Sequence, residues 1–201
     1  MHPFKIIEEF EKAVCEYTGA KYCVAVNSCT NALFLSLKLL HHKMSAISEI
    51  EIPKKTYISV PMQIKHAGFD VKFRDENWKG IYQLKPFPIY DAARRFHRDM
   101  YIKGSIMCTS HHWTKILAIQ HGGCILHDRE YIDPVLRKLR WDGRTDFKSV
   151  AESDFDILGY HCPMPPENAA AGLVRLAALK DYNDDLPCSD YIDLSKLEIF
   201  K

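Results

Sequence analysis

This 201-residue sequence lacks any real excess of charge: 27 lysines and arginines face 26 aspartates and glutamates, for a net charge of +1. Such a balance argues against electrostatic capture of nucleic acid or of an anionic membrane. No apolar run is long enough to cross a bilayer. The opening stretch, Met1-His-Pro-Phe-Lys-Ile-Ile-Glu-Glu, puts acidic residues where a signal peptide needs an apolar segment, so no such leader is expected. The seven cysteines (Cys15, Cys23, Cys29, Cys108, Cys124, Cys162 and Cys188) contain no CxxC pair. An odd count without framework spacing indicates reduced, buried thiols in a cytoplasmic protein. Internal repeats and low-complexity segments are also missing.

What is present is the composition of an ordinary globular chain, 47% hydrophobic and 26% charged, long enough to bury a substantial core. Ile6, Phe10, Val14 and Tyr17 recur at helical spacing, with Gly19 placed to end that helix. Tyr22 to Val26 predicts a strand, after which Asn27-Ser28 caps a helix with Leu33, Leu37 and Leu40 on one face. A short strand at Ile50–Pro53, a helix bearing Tyr57, Val60, Ile64 and Ala67, and a strand at Val71–Phe73 continue the alternation. Residues 74–88 are polar and proline-bearing and are expected to form a connection. Strands are expected near 88–91, 105–109 and 123–127. A helix then carries Ile132, Val135, Leu136 and Leu139, and another opens at Pro165-Pro-Glu and runs to about Lys180. This β-α-β order predicts an α/β fold, a three-layer α/β/α arrangement on a mainly parallel, mixed sheet. The expected division is one domain over 1–182 and a C-terminal tail over 183–201.

Three residues stand out against this frame. Asp91 ends the apolar stretch Phe87-Pro-Ile-Tyr-Asp. Ser110 ends Ser105-Ile-Met-Cys-Thr-Ser, and Lys115 follows five residues later. In an open α/β sheet, residues just past the carboxyl ends of strands line the ligand crevice. A carboxylate, a hydroxyl and an amine placed there suit a cofactor with a basic ring nitrogen, a phosphate and an aldehyde, which describes pyridoxal 5′-phosphate.

Six segments in order extend the pattern from about Phe4 to Lys180. They are Phe10-Glu-Lys-Ala-Val-Cys-Glu-Tyr-Thr-Gly, Val26-Asn-Ser-Cys-Thr-Asn-Ala-Leu, Ile52-Pro-Lys-Lys-Thr-Tyr, Tyr90-Asp-Ala-Ala, Ser110-His-His-Trp-Thr-Lys, and Gly159-Tyr-His-Cys-Pro-Met followed by Glu167-Asn-Ala-Ala. Together they resemble the DegT/DnrJ/EryC1/StrS family of pyridoxal-phosphate-dependent sugar aminotransferases, which have the fold type I architecture. Members of that family are longer. The resemblance implies a shortened large domain, with the C-terminal small domain missing and a strand-helix unit lost before Asp91. Cys29 stands where the family has glycine, Lys54-Lys55 replaces Ser-aromatic, Arg94 takes a Gln/His position and His161 an asparagine position.

By this resemblance Lys115 holds the cofactor's aldehyde as an internal aldimine and then moves the substrate proton, a task eased when an amine's pKa is lowered. Asp91 pairs with the pyridine nitrogen and keeps it protonated. Ser28, Cys29 and Thr30, at a helix N-terminus, and Ser110 bind the phosphate. Tyr57 stacks on the pyridine face, and Arg94 reaches the ring hydroxyl oxygen or a carboxylate. His161 reaches across a dimer to the partner's phosphate, so the resemblance implies an obligate homodimer with shared active sites. The implied reaction moves an amino group from glutamate to a nucleotide-linked keto-sugar.

Other readings compete. A non-catalytic relic that binds the cofactor and serves as scaffold or regulator is compatible with the same residues. Sugar dehydration is the third; the dehydrating branch of the family has histidine at the lysine position, so Lys115 favours amino transfer. The histidines suggest zinc through His111-His112 and His121-x2-Cys124-x2-His127. On a strand over 123–127, however, Cys124 and His127 point to opposite faces. His121 and His127 would then be on the order of 20 Å apart.

Overall fold

The structure, a computed structural model, describes residues 4–41, 47–188 and 191–200. The first three residues of the opening stretch and parts of the expected tail lie outside the described residues. The elements follow as α1 (Phe4–Thr18), β1 (Tyr22–Val26), α2 (Cys29–His41), β2 (Glu49–Pro53), α3 (Ser59–His66), β3 (Asp70–Arg74), β4 (Tyr82–Leu84), β5 (Ile89–Asp91), β6 (Ile106–Ser110), β7 (Gly123–His127), α4 (Asp133–Arg140) and α5 (Pro166–Ala177).

Helix α1 forms because Ile7, Phe10, Val14 and Tyr17 make one buried stripe. It stops at Gly19, whose φ of 78° lies in the left-handed region, and the Gly19 N–H closes the turn onto the Cys15 carbonyl at 2.9 Å. Strand β1 is apolar throughout because both of its faces are covered. Val24 and Val26 pack with Leu33, Leu37, Ile125 and Leu136 on the face that carries α2 and α4. Cys23 and Ala25 pack with Phe10, Val14, Met107 and Leu126 on the face that carries α1 and α5. The three-layer α/β/α architecture is therefore the one expected.

The strand directions differ from expectation. The main sheet runs β1-β7-β6-β5-β4, and β2 and β3 form a separate parallel pair. In the main sheet only β5–β6 is parallel; β1–β7, β6–β7 and β4–β5 are antiparallel. The sheet is mixed, and mainly antiparallel across its five strands. Connection type explains much of this. β4 turns into β5 over four residues and β6 reaches β7 with no helix between them, so both pairs run antiparallel, as strands joined without a helical crossover commonly do. The β2 pair touches the main sheet at one bridge, Glu51 with Lys85, through N–H···O bonds of 2.8 and 3.0 Å.

The connection expected over 74–88 contains β4. Tyr82 and Leu84 are buried and Gln83 between them is not, a period-two pattern only three residues long. The segment beyond 183 runs back over the domain, with Cys188 and Leu194 buried and the Leu194 N–H donating to the Lys54 carbonyl at 2.8 Å.

Candidate active site

Parallel pairing of β5 with β6 matches Asp91 to Cys108, which puts the carboxyl ends of both strands at one sheet edge. The antiparallel partner β7 starts at that edge, with Gly123 opposite Ser110. A side chain at position 123 is excluded: its Cβ would lie 2.5 Å from the Cys29 nitrogen and 2.6 Å from the Ser28 carbonyl carbon. Glycine there lets the N-terminus of α2 come down onto the sheet edge. A cavity of about 400 Å³ opens at this junction, lined by Ser28, Cys29, Thr30, Tyr57, Asp91, Arg94, Ser110 and Lys115 among others. Eight of the nine residues singled out in the sequence thus meet around one space.

The eight differ in setting. Ser28 caps α2, its hydroxyl accepting the Asn31 N–H at 3.1 Å. The first-turn N–H groups of Cys29 and Thr30 have no carbonyl four residues back within the helix, so this end of the cavity is electropositive. Thr30 and Ser59 share a hydroxyl–hydroxyl bond of 2.9 Å. The Cys29 thiol turns the other way, toward the Cys108 carbonyl at 3.5 Å and an Asp91 oxygen at 4.0 Å. Burial and the Asp91 charge push that thiol's pKa well up, so it stays protonated.

Asp91 is 4% exposed. Its carboxylate accepts the Tyr82 hydroxyl at 2.7 Å and the Ala93 N–H at 2.9 Å. Thr56 lies 2.6 Å from the Tyr82 oxygen, and with the tyrosine proton committed to Asp91 the threonine is the donor. Burial pushes the Asp91 carboxyl above its ordinary range; the Tyr82 and Ala93 bonds and the charges of Lys115 and Arg94 oppose the shift without cancelling it. Lys115 is on the turn after β6, held by its N–H to the His112 carbonyl at 2.8 Å. His112 and His121 flank it with ring centroids 5.8 Å apart. Burial first, then His121 and Lys115, lower the His112 pKa.

Arg94 and His161 have partners within the chain itself. Arg94 is buried against the chain's own C-terminal segment, donating to the Tyr191 hydroxyl at 3.0 Å and to the Pro187 carbonyl. His161 does not line the cavity of its own chain; its ring is exposed and pairs with Asp142 at 2.7 Å. The sequence reading also passed over Tyr82, Ser59, Trp78 and Tyr191. Only Tyr82 left a signal, in the alternation at 82–84. Of the residues weighed for zinc, Cys124 faces His111 at 3.3 Å while His127 stacks on Tyr22, on opposite faces of β7.

A family model described as the DegT/DnrJ/EryC1/StrS aminotransferase family matches residues 2–92 and 98–185. The chain belongs to that family. Over 81 residues it is 39% identical to the spore coat polysaccharide biosynthesis protein SpsC of Bacillus subtilis, a match covering 39% of this chain and 20% of SpsC. It is 24% identical to GDP-perosamine synthase of Caulobacter vibrioides over 89% of this chain and 58% of the synthase. Among solved structures, AtS13 from Actinomadura melliaura superposes with a TM-score of 0.76 at 19% identity, over 86% of this chain and 59% of AtS13. Helicobacter pylori PseC, an aminotransferase involved in pseudoaminic acid biosynthesis, gives 0.72 at 15%, over 86% and 57%. These structural likenesses show the fold. The chain spans less than two thirds of the length of each of these relatives. Among the described residues, no helix is long and apolar enough to cross a membrane.

Proposed function

We propose that this cavity binds pyridoxal 5′-phosphate and that the chain moves an amino group from glutamate to a nucleotide-linked keto-sugar. The observation that carries the reading is a buried, under-neutralised carboxylate, Asp91, and an amine, Lys115, lining one cavity beside the N-terminus of α2. The residues fit the cofactor. Asp91 uses two of roughly four acceptor sites on Tyr82 and Ala93, leaving acceptor capacity for a pyridinium N–H. The Cys29 side chain points toward Asp91, away from the helix N–H groups, so its replacement of glycine does not obstruct them. When bound, the cofactor supplies an electron sink for charge that develops on the substrate carbon.

The chain's own groups do the rest. The α2 N-terminus with Ser28, Thr30 and Ser110 holds the phosphate. Asp91 keeps the ring nitrogen protonated, and Tyr82, held by Thr56, keeps Asp91 oriented. Tyr57 covers one ring face. Lys115 would be the amine that holds the cofactor at its aldehyde end, and its amino group would be the base placed to move a proton at the substrate carbon. A homodimer is part of the reading, and His161, exposed and outside its own chain's cavity, is free of any role in that cavity that would compete with one toward a partner. Cytoplasmic placement rests on the reduced thiols.

The test is the visible absorption of the purified protein with pyridoxal phosphate, before and after L-glutamate. A band that appears and then fades to the pyridoxamine form supports the proposal, and Lys115→Ala should remove the band and cost on the order of 10²–10⁴-fold in amino transfer. No band in the wild type sinks it. A second reading, a non-catalytic scaffold or regulator that retains the cofactor, is favoured by the grip of the C-terminal segment on Arg94. Its signature is a band that glutamate leaves unchanged.

A further inference from the structure

The family model leaves out two stretches of the described chain, residues 93–97 and those after 185. In the fold these two hold each other at the cavity. The Leu186 N–H donates to the Arg94 carbonyl at 2.9 Å. The Arg94 side chain donates to the Tyr191 hydroxyl and the Pro187 carbonyl, and its guanidinium lies 4.4 Å from the Tyr191 ring centre. Trp78 stacks on Tyr191 at 6.1 Å and 20°, and is itself tied by its indole N–H to the Lys55 carbonyl at 2.8 Å. Buried Cys188 and Leu194 pin the segment on either side.

Tyr191 lines the cavity from this position, 6.4 Å from the Tyr57 ring. A ring gripped by a guanidinium and by an indole cannot swing aside without losing both contacts. Tyr191 is thus a braced wall of the cavity that lies outside the family match.

We propose that Tyr191 is a specificity-determining residue, which bounds the cavity beyond Tyr57 and limits the amino donor to amino acids with slender, unbranched side chains such as glutamate, excluding aromatic ones. This deepens the function proposed above and rests on it. A steric wall of this kind typically discriminates by roughly 10–200-fold.

The test measures binding, not turnover. The cofactor-free protein is titrated calorimetrically with pyridoxal phosphate and with two stable reduced adducts, N-phosphopyridoxyl-L-glutamate and N-phosphopyridoxyl-L-phenylalanine. The ratio of the two adduct affinities cancels any common loss of fold or cofactor contact. The wild type should favour the glutamate adduct at least tenfold. Tyr191→Ala should shrink that ratio at least tenfold, Tyr191→Leu should shrink it less, and Tyr191→Phe, which keeps the ring, should preserve it. An unchanged ratio in Tyr191→Ala overturns the inference while leaving the proposed function standing, as does a Tyr191→Phe ratio equal to that of Tyr191→Ala. Failure of the wild type to bind pyridoxal phosphate overturns both.

Discussion

Two places in this molecule bury charge, and they do it in opposite ways. Between α1, β1 and α4 lies a cleft of about 550 Å³, larger than the candidate active site. Its buried charges are saturated by one another. Glu11 accepts from the Ala25 N–H at 2.8 Å and from both Arg137 and Arg140, and those arginines also hold Asp146. Among the described residues, only the Arg140 Nε and one Asp146 oxygen of this group lack a partner. At the active-site cavity, Asp91 is as deeply buried, yet its partners are a hydroxyl and a backbone N–H and its carboxyl stays above the ordinary range. Volume alone would choose the first cleft. Electrostatic saturation separates them: the paired cluster fastens α1 to α4, while Asp91 is held by a hydroxyl and a backbone N–H, as the proposed role toward a cationic ring nitrogen requires.

The sharpest way to break the comparison is to unpair the saturated cluster. Arg140→Ala leaves Glu11 and Asp146 with Arg137 alone, in a place where Arg140 itself is 1% exposed. Losing one member of a buried ion cluster typically costs about 3–5 kcal/mol. Urea unfolding should show a fall of that size, with amino transfer by the surviving folded fraction unchanged. A loss under about 1 kcal/mol would mean that the cluster does not fasten the fold.

The matching change at the cavity should have the opposite sign on stability. Asp91→Asn removes a buried carboxyl whose pKa is raised in the folded state. A group shifted this way contributes stability that is fully present below the unfolded carboxylate range and is lost as pH rises through the folded value. At neutral pH the wild type therefore carries a cost that asparagine lacks. Calorimetry of the cofactor-free variant should show a higher Tm, by about 2–4 °C per kcal/mol recovered. Amino transfer should fall on the order of 10²–10³-fold, because a group aimed at the developing charge has gone. A lower Tm with intact activity would reverse the reading of both regions.

How much of this was legible in the sequence follows from element length. α1, α2 and α5 run for several turns with an apolar stripe, and β1, β6 and β7 are largely apolar runs of five residues, so pattern located them all. β4 has only three residues, too few for alternation to rise above a polar, proline-bearing stretch, and its loss concealed Tyr82. Strand direction was misjudged because it depends on how consecutive strands are connected, and the lack of a helix between β6 and β7 becomes decisive only when both strands are known to be neighbours. Asp91 and Ser110 end strands and Lys115 follows one, and there chain position predicts place in space, so all three line one cavity. Tyr191 lies a hundred residues from Asp91 with no periodic signal, and only the folded chain brings it to the same cavity.

Tyr82 offers the finest probe of the contrast, because it alters the environment of Asp91 without touching its charge. In the folded chain its hydroxyl stabilises the ionised carboxyl, opposing burial. Tyr82→Phe keeps the ring against Trp78 but deletes that donor. A hydrogen bond to a charged group is worth about 1.5–3 kcal/mol, so the Asp91 carboxyl should become harder to ionise. The sign is then fixed. Under the proposed function amino transfer uses the ionised form, so the acid limb of its pH profile should move to higher pH, while the rate on the plateau changes by no more than about tenfold. A Tyr82→Phe profile with an unmoved acid limb would separate Asp91 ionisation from catalysis, and the two buried carboxylates would then differ only in their surroundings, not in their use.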